Sequence, residues 1–212
     1  VKQETLSADV PTPEPLEEKR GIPLAEIAQC GVLIALLAAC AQVTVAIGPV
    51  PFTLQTLAVC LCALVFAPRQ AVLAIAGYLV LGALGLPVFS GGRGGLGVLA
   101  GVTGGYLYGY LVAVALGALV RRAVCAPNRR AGNLVRSLAA DVACVFVVTA
   151  IVYTLGSLHY LVVSGLWGTD GAWAYVLGTC VLPFLVPDAL KAVAAILVAR
   201  AVRRALPGVA AR

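Results

Sequence analysis

The sequence predicts an all-α integral membrane protein of six transmembrane helices, with short or broken segments near the outer face. Three observations carry this. Of 212 residues, 61% are hydrophobic and 11% charged, against about 25% charged in a soluble domain; mean hydropathy is +1.01. The apolar residues form continuous runs, not the alternation a membrane barrel requires. Lys and Arg fall beside those runs in the pattern that sets membrane topology.

The elements follow in order. Residues 1–20, rich in Pro and Glu, read as a disordered tail. This tail lacks the charged n-region, apolar core and cleavage site of a signal peptide. Residues 21–212 read as a single six-helix membrane domain. A spanning helix needs about 20 apolar residues. The spacing predicts a first span over 24–47, a short second over 53–67, a third over 71–86 and a fourth over 99–120. A fifth covers 138–158 and the last covers 187–202. The stretch 167–186 is apolar but cut by Gly178, Pro183 and Pro187. It reads as a short helix lying over or dipping into the outer face, a form tolerated only where protein or a cavity satisfies the backbone.

Basic residues orient the bundle. Lys19 and Arg20 precede the first span, and Arg69 separates the second from the third. Arg121, Arg122, Arg129, Arg130 and Arg136 lie between the fourth and fifth; Arg200, Arg203 and Arg204 close the last. Six spans with both termini inside put all of these on the cytoplasmic side of a prokaryotic plasma membrane. The net charge of +6 then reads as topology, and no nucleic-acid partner is expected. Of fifteen basic residues, Arg93 and Lys191 break the pattern, which makes them functional candidates.

Lys191 stands with Asp188 in Pro187-Asp188-Ala189-Leu190-Lys191. They are the only charges in residues 172–199. Either costs about 2.5–3.5 kcal/mol at the centre of a membrane helix. At i and i+3 they share one face, so they neutralise each other as a structural pair or grip one ligand together. Counting back from Arg203 at about 1.5 Å per residue puts Asp188 in the outer half of the bilayer. Pro187 suits a helix start there, and Asp188 suits the positive end of its dipole.

Other constellations are weaker alone. In Ser90-Gly91-Gly92-Arg93-Gly94-Gly95, glycines let backbone N–H groups approach a ligand and Arg93 offers a fork for a carboxylate; a flexible hairpin is the plain alternative. Gln55 is a lone amide at the start of the second span, after Pro49 and Pro51 stiffen an external loop. Gly31, Ala35 and Ala39 share a face of the first span, small enough to let another helix approach, within the bundle or in a partner subunit. His159, the only histidine, reads as interfacial. The seven cysteines have no metal-ligand spacing and read as small buried hydrophobes. No Ser, Cys or His set makes a recognisable nucleophile and base, and no nucleotide-binding motif is present.

Several long stretches together resemble one family. Pro51-Phe52-Thr53-Leu54-Gln55 resembles a signature of the BioY family, as does Tyr78-Leu79-Val80-Leu81-Gly82-Ala83-Leu84-Gly85-Leu86-Pro87-Val88-Phe89-Ser90-Gly91-Gly92. The likeness continues through Gly95-Leu96-Gly97-Val98-Leu99 and Thr103-Gly104-Gly105-Tyr106. It returns at Leu182-Pro183-Phe184 and Asp188-Ala189-Leu190-Lys191. It spans roughly residues 24–204. Two positions depart from the family pattern: Val186-Pro187 stands where Pro-Gly is frequent, and Gly101-Val102-Thr103 where Gly-Pro-Thr is frequent.

The resemblance implies six helices and an outward-facing biotin pocket in the membrane-embedded subunit of an energy-coupling-factor transporter. It places Asp188, Lys191, Gln55 and Arg93 at biotin, in a wall completed by Tyr78, Phe52, Phe89, Ser90, Gly91 and Gly92. Asp188 would accept from the ureido N–H groups. Lys191 would donate to the ureido oxygen or balance Asp188, and Arg93 would clamp the valerate carboxylate. Gly31, Ala35 and Ala39 would dock a transmembrane coupling subunit, itself driven by cytoplasmic ABC-type ATPases. Biotin is the ligand; neither a cofactor nor a metal is expected. Rival readings are an intramembrane enzyme or a proton-coupled carrier using Asp188 and Lys191.

Overall fold

The computed structural model describes residues 24–46, 48–125 and 134–205. The expected disordered tail, and with it Lys19, Arg20, Arg129 and Arg130, lies outside them. Helix α1 (Leu24–Gln42) leads into a two-residue antiparallel hairpin, β1 (Thr44–Val45) against β2 (Phe52–Thr53), with Thr44 opposite Thr53. Then come α2 (Gln55–Val65), α3 (Pro68–Ala83), a single 3-10 turn at Ser90–Gly92, and α4 (Leu96–Ala100). Helices α5 (Gly104–Cys125), α6 (Leu134–Val163), α7 (Ala172–Val176) and α8 (Leu182–Ala205) complete the described residues, with a π-turn at Leu177–Val181 joining the last two.

Among the described residues, four helical runs are long and apolar enough to cross a membrane: Leu24–Gln42, Gly104–Cys125, Leu134–Val163 and Ala172–Ala205. Helices α2 and α3 are apolar but shorter. A helix that is hydrophobic all round belongs inside a bundle, and α2 is buried along nearly its whole length. Eleven residues span only about 16 Å. It packs on α8, α5, α6 and α1 and forms the axis around which the longer helices stand. Pro68 at the start of α3 turns the chain back, because its missing N–H and fixed φ suit the first helical turn.

Helices α5 and α6 form the tightest pair, through a glycine seam. Side chains at Gly105 and Gly117 would collide with His159 and Val148 of α6, and one at Gly156 with the Tyr106 ring. Small residues at such positions let membrane helices approach closely.

Three expectations need correction. The fourth span begins at Gly104, not residue 99: the chain breaks after α4 at Gly101, where the backbone is extended. His159 Nε2 lies 3.0 Å from the Gly101 carbonyl and holds the break. The last helix does not begin at Pro187, and residues 172–186 are not a separate broken segment. The helical run is continuous from Ala172 to Ala205, with Pro187 inside it. A proline removes only one backbone bond from a membrane helix, and neighbouring groups absorb the loss. The first span ends at Gln42 rather than residue 47, and the loop that follows closes as the β1–β2 hairpin, pinned by Leu54 N–H donating to the Cys40 carbonyl at 3.2 Å.

Candidate ligand-binding site

At one end of the bundle a cleft opens between the β1–β2 hairpin, the N-terminus of α2, the 3-10 turn, α5, α6 and α8. Its empty volume, open mouth included, is about 620 Å³.

Its polar floor is the pair read from the sequence. Asp188 and Lys191 are each 7% exposed, with Lys191 Nζ 2.6 Å from Asp188 Oδ1. Two groups absent from the sequence reading complete the pair. The Thr56 hydroxyl donates to Asp188 Oδ1 at 3.2 Å, and the Tyr153 hydroxyl donates to Oδ2 at 2.6 Å. Lys191 also donates to the Thr53 carbonyl at 2.5 Å and to Thr56 Oγ1 at 3.1 Å. All three ammonium protons are therefore committed, whereas a carboxylate with three donors keeps a lone-pair direction free. The arrangement makes Asp188 the acceptor open to a ligand and Lys191 its counter-charge. The Lys191 ammonium also sits 3.7 Å from the centroid of Phe52, a favourable cation–π contact.

Above the floor the walls are aromatic. Phe52 stacks parallel to Phe184 at 6.4 Å between centroids, and Tyr106, Tyr110 and Phe89 also line the cleft. Phe89 is nearly wholly buried and seats in the notch left by Gly82, where a Cβ would fall within its ring.

A polar chain links floor and mouth. The Thr53 hydroxyl donates to Gln55 Oε1 at 3.1 Å, Gln55 Nε2 donates to the Tyr78 hydroxyl at 2.7 Å, and Tyr78 donates to the Val88 carbonyl at 2.8 Å. Gln55 lines the cleft; Tyr78 does not. Tyr78 is fully buried behind it, edge-on to Phe89 at 5.4 Å, and holds the loop rather than facing the cavity.

The mouth carries Ser90 and Arg93, both lining. Gly91 and Gly92 are not part of the lining; each has positive φ, which lets the loop fold back so that Phe89 N–H donates to the Arg93 carbonyl at 2.9 Å. Arg93 Nε donates to the Ser90 carbonyl at 3.0 Å. Among the described residues its η nitrogens have no partner, so its fork is open to an anion. Gly31, Ala35 and Ala39 do not line this cleft and are exposed along one face of α1, so that face is open on the outside of the bundle.

Sequence reasoning missed Thr53, Thr56, Tyr106, Tyr110, Tyr153 and Phe184 as wall residues. Thr53, Tyr106 and Phe184 lay within motifs already noted. Tyr153 carried one signal: a hydroxyl in the middle of a long apolar helix.

Comparison with known proteins agrees with this architecture. The profile of the BioY family matches residues 13–208. The chain is 36% identical over 174 residues to a protein of Pyrococcus horikoshii named "Probable biotin transporter BioY", covering 82% of this chain and 93% of that one. It is 34% identical to "Biotin transporter BioY2" of Lactococcus lactis, covering 81% and 86%. It is 35% identical to "Biotin transporter BioY" of Rhizobium etli, covering 77% and 83%. A crystal structure of "the S-component for biotin from an ECF-type ABC transporter" has the same fold, with a TM-score of 0.72 at 19% identity over 85% of this chain and 91% of that one. The chain belongs to the BioY family.

Proposed function

We propose that this chain captures biotin from outside the cell and delivers it inward as the membrane subunit of an energy-coupling-factor transporter. The observation that carries the reading is the buried Asp188–Lys191 pair, saturated on the lysine side and open on the aspartate side, beneath an aromatic cleft. Membership of a family whose relatives are named for biotin transport supports it.

Biotin offers two ureido N–H groups, a sulfur ring and a carboxylate. Asp188 accepts from the ureido edge, a charge-assisted bond strengthened by burial. Phe52, Phe89 and Phe184 cover the rings. Arg93 takes the carboxylate at the mouth, and Gln55 supplies a further amide. Lys191 supplies the counter-charge that a buried carboxylate needs, since breaking such a pair strands the other charge.

In this reading α2 and α3 count as spans. Together with α1, α5, α6 and the run from α7 to α8 they make six, with both termini cytoplasmic. The open face at Gly31, Ala35 and Ala39 docks a transmembrane coupling subunit, and cytoplasmic ABC-type ATPases drive release, because this sequence carries no nucleotide motif. The chain itself is a binding subunit, not an enzyme, in a prokaryotic plasma membrane. Binding of labelled biotin to the purified chain, competed by unlabelled biotin but not by thiamine or riboflavin, is the expected result. No biotin binding by folded protein would overturn the reading.

A further inference from the structure

Far from the ligand cleft, a second buried charge cluster ties the other end of the bundle. Asp141 of α6 is wholly buried. Arg121 Nε lies 2.9 Å from its Oδ1; Arg200 Nε and Arg203 Nη2 lie 3.1 and 2.7 Å from its Oδ2. Arg203 also donates to the Leu64 carbonyl near the C-terminus of α2 at 2.8 Å, and Arg200 donates to Ser137 Oγ at 3.2 Å. One carboxylate thus joins α5, α6 and α8, with α2 attached through Arg203.

The charges do not balance. Three guanidiniums face one carboxylate, and among the described residues no other acid pairs with them. Their side chains are only 21%, 19% and 13% exposed, so water screens the excess poorly. Each guanidinium still has N–H groups unspent. The three come from two helices and converge on one point, unlike Arg122 and Arg204 beside them, which are exposed. Planar forks with spare donors and net positive charge match the tetrahedral oxygens of a phosphate. The cluster lies at the end of long apolar helices, at the depth where bilayer headgroups sit.

We propose that Arg121, Arg200 and Arg203 hold a phosphate group against the Asp141 cluster, supplied by the headgroup of an anionic phospholipid or by free phosphate. Its binding stabilises the junction of α2, α5, α6 and α8 and so locks the end of the bundle opposite the ligand cleft.

The test is thermal unfolding of the purified full chain in phosphatidylcholine nanodiscs, with phosphatidylglycerol added to the bilayer in one arm and inorganic phosphate to the buffer in the other. Stabilisation by roughly 5 °C or more in the lipid arm alone assigns a headgroup. Stabilisation by inorganic phosphate as well assigns a free anion, and either result supports the site. Arg122→Gln with Arg204→Gln should leave the shift intact, whereas Arg200→Gln should at least halve it. Should Arg200→Gln fail to fold, Arg121→Gln, which removes the one contact to Asp141 Oδ1 and leaves Arg200 and Arg203 on Oδ2, should likewise at least halve the shift. No shift in either arm, or a shift abolished by Arg122→Gln with Arg204→Gln while Arg200→Gln retains it, overturns the proposal.

Discussion

The Tyr153 hydroxyl donates to Asp188 Oδ2 at 2.6 Å, which fixes the second oxygen of a carboxylate whose first oxygen is held by Lys191 and Thr56. Asp188 is thereby oriented from α2, α6 and α8 at once. A hydrogen bond to a charged group contributes about 1.5–3 kcal/mol. Tyr153→Phe should weaken biotin binding roughly 10- to 100-fold while leaving the fold intact, as titration calorimetry on the purified variant would record. Unchanged affinity would mean that Asp188 needs no help from α6.

The role proposed for Arg93 can be tested apart from that of Asp188. Its η nitrogens are unpartnered among the described residues, so a carboxylate is their natural guest. Arg93→Gln should weaken biotin by about tenfold and leave biotin amide, which has no carboxylate, unaffected. Equal losses for both compounds would place the arginine elsewhere.

The floor pair also bears on stability. Removing one partner of a buried ion pair costs about 3–5 kcal/mol, because the other charge is stranded, whereas replacing both with apolar groups is often neutral. Lys191→Met should therefore lower thermal stability sharply, and Asp188→Leu with Lys191→Met should recover most of it without recovering biotin binding. Recovery of both would reduce the pair to a packing device.

Gly82 sets the position of the mouth. A methyl group there would meet the Phe89 ring, and overpacking of this kind costs about 1–3 kcal/mol. Gly82→Ala should displace Phe89 with the loop that follows and weaken biotin, whereas Gly97→Ala, with open space around its Cβ position, should do neither. Differential scanning fluorimetry and equilibrium binding would report both effects.

The exposed face of α1 makes a separate prediction. Ala35→Leu with Ala39→Leu should leave biotin binding to the purified chain unchanged but abolish accumulation of biotin by cells expressing the complete transporter. Loss of binding would show that this face supports the pocket instead.

The residues legible in the sequence were those whose chemistry is anomalous where it stands. Asp188 and Lys191 are conspicuous because charge is costly in an apolar run, and Arg93 because it breaks the topology rule. Tyr153 and Thr56 were not, since their role depends on helix register: Tyr153 lies 35 positions from Asp188 and Thr56 lies 132. Tyr78 reads as a wall residue in the sequence, but only its bond to Val88 reveals that it stands behind the wall. The break after α4 hides in an apolar stretch, because the His159 bond that holds Gly101 arrives from 58 residues away. Pro187 carries a strong local signal for a helix start, which the continuous packing of residues 172–205 overrides.

The most direct test of the central claim is equilibrium binding of labelled biotin to the purified chain beside Asp188→Asn, which keeps the shape of the side chain and removes its charge. The account predicts tight binding by the wild type and a loss of about 100-fold or more in the variant. A folded Asp188→Asn protein that binds biotin as tightly as wild type would contradict it and move the ligand away from the last helix.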